Sequence, residues 1–224
     1  MAIIGLTTAE EAMNIALIGA SGFIGSAFLE EALARGHHVT ALTRHAHKIP
    51  AHANLSRIDA DVFDTEALAR ILRQHDAVIS AFSGHAHADV LNDYLRGFRS
   101  IVQASKEAQV PRLLVVGGAG SLEVAPGVQL IDTPDFPAAY RATAEGARQA
   151  LELLRKERTL NWTLLSPAAS LEPGERTGSY RIGKDHLLTD ENGASRISTA
   201  DLAVAMLDEL EQPKHVRERF TVAY

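Results

Sequence analysis

Asn14-Ile15-Ala16-Leu17-Ile18-Gly19-Ala20-Ser21-Gly22-Phe23-Ile24-Gly25 is the stretch that decides the fold. An apolar run ends in a glycine, and glycine recurs at 22 and 25. The next residues, Ser26-Ala27-Phe28-Leu29-Glu30-Glu31-Ala32-Leu33, have helical spacing. The order is strand, tight turn, helix. In that setting Gly19 permits a sharp exit from the strand, and Gly22 clears a side chain from the path of a pyrophosphate. Gly25 lets the helix lie close on the strand, and the free N–H groups of the helix start face the phosphates. The spacing G-x-x-G-x-x-G differs from the G-x-G-x-x-G of the usual dinucleotide fingerprint, although the physical task is the same. A tight turn with no ligand would also use these glycines, so the rest of the chain has to decide.

Working outward, the first helix is expected over residues 22–35, with Gly36 as its stop. His38-Val39-Thr40-Ala41-Leu42-Thr43 reads as the second strand. Its end lies about twenty residues past the glycine loop, where a carboxylate would bind the ribose hydroxyls of NAD. Arg44 stands there instead, and a guanidinium suits a 2′-phosphate, which favours NADP with NAD as the alternative. Further strands are expected over 54–60, 76–82, 111–116 and 161–165. Helices are expected over 64–73 (capped by Asp64), 89–108 and 137–157. Residues 123–137 hold three prolines and read as an irregular loop. After Ser166 the alternation breaks. A short hairpin around Gly183-Lys184-Asp185 within residues 179–188, a helix capped by Ser198 or Thr199 and a last strand at 219–222 are expected.

Strands alternating with helices imply an α/β fold, a doubly wound parallel sheet with right-handed crossovers. Ligands of such sheets bind outside the carboxyl ends of the strands. Gly19 to Gly25, Arg44, Asp61, Ser83, Gly117 to Ser121 and Ser166 to Ala168 all fall at that edge. The expected organisation is an N-terminal extension over 1–12, a nucleotide-binding core over 13–168 and a small substrate lobe over 169–224. Met13, directly before the first strand, reads as the original start.

The bulk properties narrow the function classes. The chain has 224 residues, a formal net charge of −6 and no cysteine. Disulfides and thiol catalysis are excluded, and a cytoplasmic setting is natural. The acidic balance argues against a nucleic-acid partner that needs a basic face. No apolar run approaches the roughly 20 residues of a membrane span. The partner expected is a small-molecule acceptor, and the protein a monomer or homodimer.

These residues together resemble the short-chain dehydrogenase/reductase superfamily in its extended or atypical branch. Gly19-Ala20-Ser21-Gly22-Phe23-Ile24-Gly25 is similar to that branch's loop, and Asp61-Val62 resembles the pair flanking its adenine ring. Leu160-Asn161-Trp162-Thr163-Leu164-Leu165-Ser166-Pro167-Ala168 resembles its sixth strand and nicotinamide-facing loop, and Ile197-Ser198-Thr199-Ala200-Asp201-Leu202-Ala203 its late helix. Within the branch the likeness is to small bacterial proteins named NADH-flavin reductases, near the biliverdin reductase B and NmrA-like groups. The resemblance implies that Gly19, Ser21, Gly22, Phe23, Ile24, Gly25, Arg44, Asp61, Val62, Ala81, Phe82, Ser83, Gly117, Gly118, Ser166, Pro167 and Ala168 hold NADP.

The chain departs from the family in its catalytic set, which is a serine after the fifth strand and Tyr-x-x-x-Lys on the next helix. Tyr140 matches the tyrosine, but the lysine position is Ala144, and Ser121 lies slightly late for the serine. Tyr140 and Ser121 are the catalytic candidates. A phenol with no lysine beside it titrates near ~10 and is a poor base at neutral pH. Alcohol dehydrogenation and epimerisation are therefore disfavoured. The expectation is an NADPH-dependent reductase of a flavin, quinone or similar planar acceptor. The rival readings are a non-catalytic NADP(H)-binding redox sensor and, further off, a nucleotide-sugar-type epimerase or dehydratase. His45-x-His47 and His85-x-His87 lack a third ligand at fixed spacing, so no metal is expected. His85 and His87 remain candidates for the mouth of the site.

Overall fold

β1 (Asn14–Ile18) lies inside the sheet, with Ile15 to Ile18 all buried. A strand covered on both faces needs no polar alternation, which is why it reads as a continuous apolar run. The computed structural model describes residues 11–84 and 89–224. The extension expected over 1–12 lies outside them except for Glu11 and Ala12, and His85 and His87 lie outside them as well.

From β1 the chain continues through α1 (Phe23–Ala34), β2 (His38–Thr43), β3 (Leu55–Asp59), α2 (Thr65–Leu72) and β4 (Ala77–Ser80). Next come α3 (Val90–Glu107), β5 (Arg112–Val116), β6 (Glu123–Ala125), β7 (Val128–Gln129), α4 (Ala138–Lys156) and β8 (Trp162–Ser166). The tail holds β9 (Ser170–Glu172), β10 (Arg181–Gly183), β11 (Arg196–Ser198), α5 (Thr199–Glu211) and β12 (Glu218–Ala223). Helix starts follow local chemistry. The Asp64 carboxylate accepts from Ala67 N at 3.0 Å, and the Ser198 hydroxyl accepts from Asp201 N at 2.9 Å. Gly36, at φ +83°, takes the left-handed conformation that ends α1.

Eight strands form the main sheet in the order β3-β2-β1-β4-β5-β8-β12-β10, parallel except for β10. α1 and α5 pack together on one face, while α2, α3 and α4 cover the other. The strand order reverses between β1 and β4. Connections leave the two strands in opposite directions there, and a crevice opens at their carboxyl ends.

Where the sequence reading gives a strand or helix, its limits match to within one or two residues, apart from two regions, and the paired strands β9 and β11 have no counterpart in it. Residues 123–137 are not a plain loop: β6 and β7 form a two-stranded hairpin turning at Gly127, whose φ is +72°. Pro126-Gly127 is the turn signal, hidden among the other prolines. The hairpin expected over 179–188 does not form, because its two arms find different partners. β10 pairs antiparallel with β12, Ile182 opposite Val222. Residues 185–187 join β6 instead, where Glu123 N donates to Asp185 O at 2.8 Å and Leu187 N to Glu123 O at 2.9 Å. Since β10, β12 and α5 join the main sheet and its face, the lobe after Ala168 is confined to the β9–β11 pair and nearby turns.

Candidate functional site

Glycine is required where the chain leaves β1. Gly19 has φ +81°, and a Cβ there would meet Ala81 O at 2.9 Å. A Cβ on Gly25 would run into the Gly19 carbonyl oxygen, so α1 could not approach β1 so closely. Gly22 N donates to Gly19 O at 2.9 Å and closes the turn. The α1 start carries no side-chain cap and no acidic residue in its first turn. Its N–H groups and positive end therefore face an open space that suits an anion.

That space continues into a cleft of about 500 Å³. Of the expected cofactor residues, Gly19, Ser21, Gly22, Arg44, Asp61, Val62, Ala81, Phe82 and Ser83 line it. Thr43, Asp59, Phe63 and Leu68 join them, and sequence reasoning did not select these. Thr43 bonds the Ser21 hydroxyl at 2.7 Å, placing two hydroxyls together at the ends of the glycine loop and β2. Asp59 is spent on the backbone, accepting from Ala46 N at 2.6 Å. One Asp61 oxygen likewise fixes its own turn through Phe63 N at 2.9 Å. Phe63 was legible as the neighbour of Asp61-Val62. Its ring meets Phe82 edge-on at 6.3 Å between centroids, and the Arg96 guanidinium lies 3.8 Å above it. Arg44 is exposed at the cleft and makes no ion pair with a described residue.

The residues fit a dinucleotide. The glycine cradle would be filled by any Cβ, the helix start is an uncapped donor set, and the cleft has an apolar side at Val62, Phe63 and Phe82 for a base. Arg44, with no ion pair among the described residues, stands at the end of β2, where the fold would place a ribose. With a pyrophosphate on the glycine loop, the second nucleotide lies beyond β4, at the ends of β5 and β8.

The other expected residues take up different positions. Phe23 is 57% exposed on the first turn of α1, Ile24 packs against the core edge and Gly25 is buried beneath the loop. Gly117, Gly118, Ser166, Pro167 and Ala168 sit at the ends of β5 and β8, joined by Gly117 N donating to Leu165 O at 2.8 Å. They line the second half of the edge, not the 500 Å³ cleft. Tyr140, on the first turn of α4, is 64% exposed. Ser121 is turned away from solvent at 4% exposure, and its hydroxyl accepts from Arg219 Nη1 at 3.2 Å. Ala144 is a packing position, its Cβ 2.9 Å from where a Cβ on Gly120 would stand. Below this, Asp185 binds Arg219 and Arg155. Partial burial raises its pKa, but the hydrogen bonds and charge of Arg219 outweigh that and hold it below the usual carboxylate range.

His45 and His47 are exposed, their rings 6.1 Å apart, and no metal-binding group of three or more ligands occurs among the described residues. No helix of the described residues is long and apolar enough to cross a membrane.

Residues 19–213 match the family model described as NAD(P)H-binding. The chain belongs to that family. It is the Rossmann-type family of atypical short-chain dehydrogenase/reductase character that the sequence resembles. The uncharacterized protein YwnB of Bacillus subtilis (strain 168) is 45% identical over 213 residues, covering 94% of this chain and 98% of YwnB. A Bacteroides thetaiotaomicron structure, provisionally named an epimerase, is 44% identical with a TM-score of 0.90, over 96% of this chain and 98% of its own. A Streptococcus pneumoniae structure, provisionally named an NADH-flavin reductase, is 40% identical with a TM-score of 0.85, over 95% of this chain and 99% of its own. The names given to the two structures disagree on the reaction.

Proposed function

We propose that this NAD(P)H-binding protein is an NADPH-dependent reductase that passes hydride to a flavin, quinone or similar planar acceptor. The observation that carries the reading is the packing at Ala144. The place of an activating lysine is filled by contact between α4 and Gly120, and the nearby serine is bound to Arg219. A site without that acid–base pair suits an acceptor that takes hydride with little proton assistance. When bound, NADPH supplies the hydride. The chain supplies orientation: the glycine loop and α1 start hold the pyrophosphate, Phe63 and Val62 flank the base, and Arg44 meets the 2′-phosphate. The ends of β5 and β8 wall the reacting end, where proximity carries most of the effect and water delivers the proton.

An epimerase would pass through a ketone and needs proton transfer in both directions, for which the described residues offer no equipped pair. The missing acid–base set also suits a sensor that binds the cofactor and performs no chemistry. Both readings are separated from the reductase by following NADPH absorbance with purified protein and a panel of FMN, FAD and quinones. Oxidation with at least one planar acceptor is expected; tight NADPH binding with unchanged absorbance against every acceptor would remove the reductase reading and leave the sensor and the epimerase, of which only the epimerase would invert a sugar nucleotide. Arg44→Ala should raise KM for NADPH by about 10–100-fold, as loss of a charged hydrogen-bond partner does, with NADH little affected. Equal effects on the two cofactors would remove the argument for NADP.

A further inference from the structure

Beneath the second half of the edge lies a cation that the proposed reaction does not touch. Arg219 comes from β12, pairs with Leu164 of β8 and is 6% exposed. On this strand Phe220 and Val222 fill the α1–α5 side of the sheet, so Arg219 and Thr221 point to the α4 side. The guanidinium there makes contacts with three separate segments. Its Nη1 donates to Ser121 Oγ at 3.2 Å and to Ser166 Oγ at 3.5 Å. Its Nε donates to Asp185 Oδ1 at 2.9 Å, and Nη2 binds the same oxygen. Ser121 ends the turn that follows β5, Ser166 is the last residue of β8, and Asp185 belongs to the tail segment seated on β6.

Stability alone is a weak reason for this arrangement. Arg219 is buried while Asp185 is half exposed; solvent weakens such a pair, and a buried charge often contributes no more to folding than an apolar side chain of the same size. The layers below are apolar, with Leu113 and Leu164 fully buried. What a forked, planar donor provides that leucine cannot is fixed register among three chain segments. Two of those segments, Gly117 to Ser121 and Ser166 to Ala168, wall the reacting end of the cleft. Hydride transfer is sensitive to displacement of the order of 1 Å.

We propose that Arg219, held by Asp185, is a positioning residue that sets the two loops against the nicotinamide end of the cofactor. This rests on the reductase reading, and it assigns Ser121 to the clamp and not to the reaction centre. The clamp acts on the reacting end only, so it should leave the grip on the adenosine half unchanged.

The test compares Arg219→Met, Arg219→Lys and Asp185→Asn with the unaltered protein, using three readouts. These are kcat with the best acceptor, Kd for NADPH, and the fluorescence of bound NADPH, which reports the ring's surroundings without turnover. Folding is followed through Trp162, the single tryptophan. Arg219→Met should lower kcat at least tenfold, leave Kd within about twofold and shift the bound-NADPH emission; Arg219→Lys should recover part of the loss. A folded Arg219→Met with unaltered kcat and emission overturns the proposal, as does a parallel fall in kcat and cofactor affinity. If Arg219→Met fails to fold, Asp185→Asn decides. Its carboxylate is half exposed, and the same split at smaller size is expected, while unaltered behaviour overturns the clamp. If none of the acceptors offered lets the unaltered protein oxidise NADPH, the reductase reading falls, and the emission of the variants still tests the positioning role.

Discussion

The two halves of the carboxyl edge are built by different means. The half between β1, β2, β3 and β4, to which we assign the adenosine end, is open and held by backbone: glycines, an uncapped helix start and strand ends that diverge at the switch point. The half at β5 and β8 is packed and held by side chains that reach across the fold, with buried Arg219 joining Ser121, Ser166 and the half-exposed Asp185. A backbone cradle makes the same demands on any chain that binds a dinucleotide. A side-chain clamp depends on particular residues at distant positions being present together. On the proposed reading, the grip on the cofactor rests on backbone features of the fold, and the placing of its reacting end on side chains from distant strands.

The comparison is broken most severely at Gly25. A methyl group there runs into the Gly19 carbonyl, so Gly25→Ala must push α1 away from β1. Calorimetric titration should find NADPH affinity down by about 100-fold or more, and thermal unfolding should find a loss of ~1–3 kcal/mol, as overpacking costs. Wild-type affinity in a folded Gly25→Ala protein would show that the close approach of α1 is not what holds the phosphates.

An intermediate effect is expected where the tail is tied down. Asp201 is fully buried at the start of α5 and accepts from Thr177 N at 2.8 Å, Gly178 N at 2.7 Å and the Tyr224 hydroxyl at 2.7 Å. Burial raises its pKa, but these bonds and that of the Thr177 hydroxyl outweigh it and leave the carboxyl below its usual range. A carboxyl lowered by folding adds stability above its unfolded pKa of about 3.9 and loses it as pH falls through that value toward the folded one. Asp201→Asn should thus cost ~1.5–3 kcal/mol at pH 7, as charged hydrogen bonds do, with the gap closing below about pH 4. Thermal unfolding across pH checks both parts. A gap that stays constant into acid would mean that packing, not charge, is what the asparagine removes. At pH 7 the Asp201→Asn protein should bind NADPH as the unaltered protein does.

The same contrast explains what could be read before the fold was known. Gly19, Gly22, Arg44 and Asp61 announced themselves because their signals are local: a glycine spacing, a strand end, a fixed distance along the chain. The family likeness and the alternation of strands and helices carried most of the sheet in the same way. β10 was misread because its partner, β12, lies far along the chain, and no local pattern says which arm of 179–188 pairs with what. Ser121 was chosen as a small polar residue after β5. Its orientation is set by Arg219, 98 residues later, on a strand whose inward face is known only once the register is known. Side-chain clamps between distant strands leave no spacing for a reader to find.

The smallest effect is expected at Tyr140, and its size matters most for the chemistry. If this phenol were the proton donor, Tyr140→Phe would forfeit the 100-fold or greater contribution that a positioned acid makes, roughly 10²–10⁴. The surroundings on α4 argue otherwise. The ring is 64% exposed, the neighbouring Arg141 is turned to the Ile131 carbonyl at 2.9 Å, and Ala144 presses on Gly120 where a lysine would reach the hydroxyl. A proton can come from water when the acceptor is a flavin or quinone, so the hydroxyl has no step to perform. Tyr140→Phe should change kcat with such an acceptor by less than about threefold, whereas Tyr140→Ala should raise KM for the acceptor if the ring supplies a stacking surface at the mouth. A hundredfold loss of kcat in Tyr140→Phe would return the tyrosine to the reaction and favour a carbonyl acceptor over a planar redox ring.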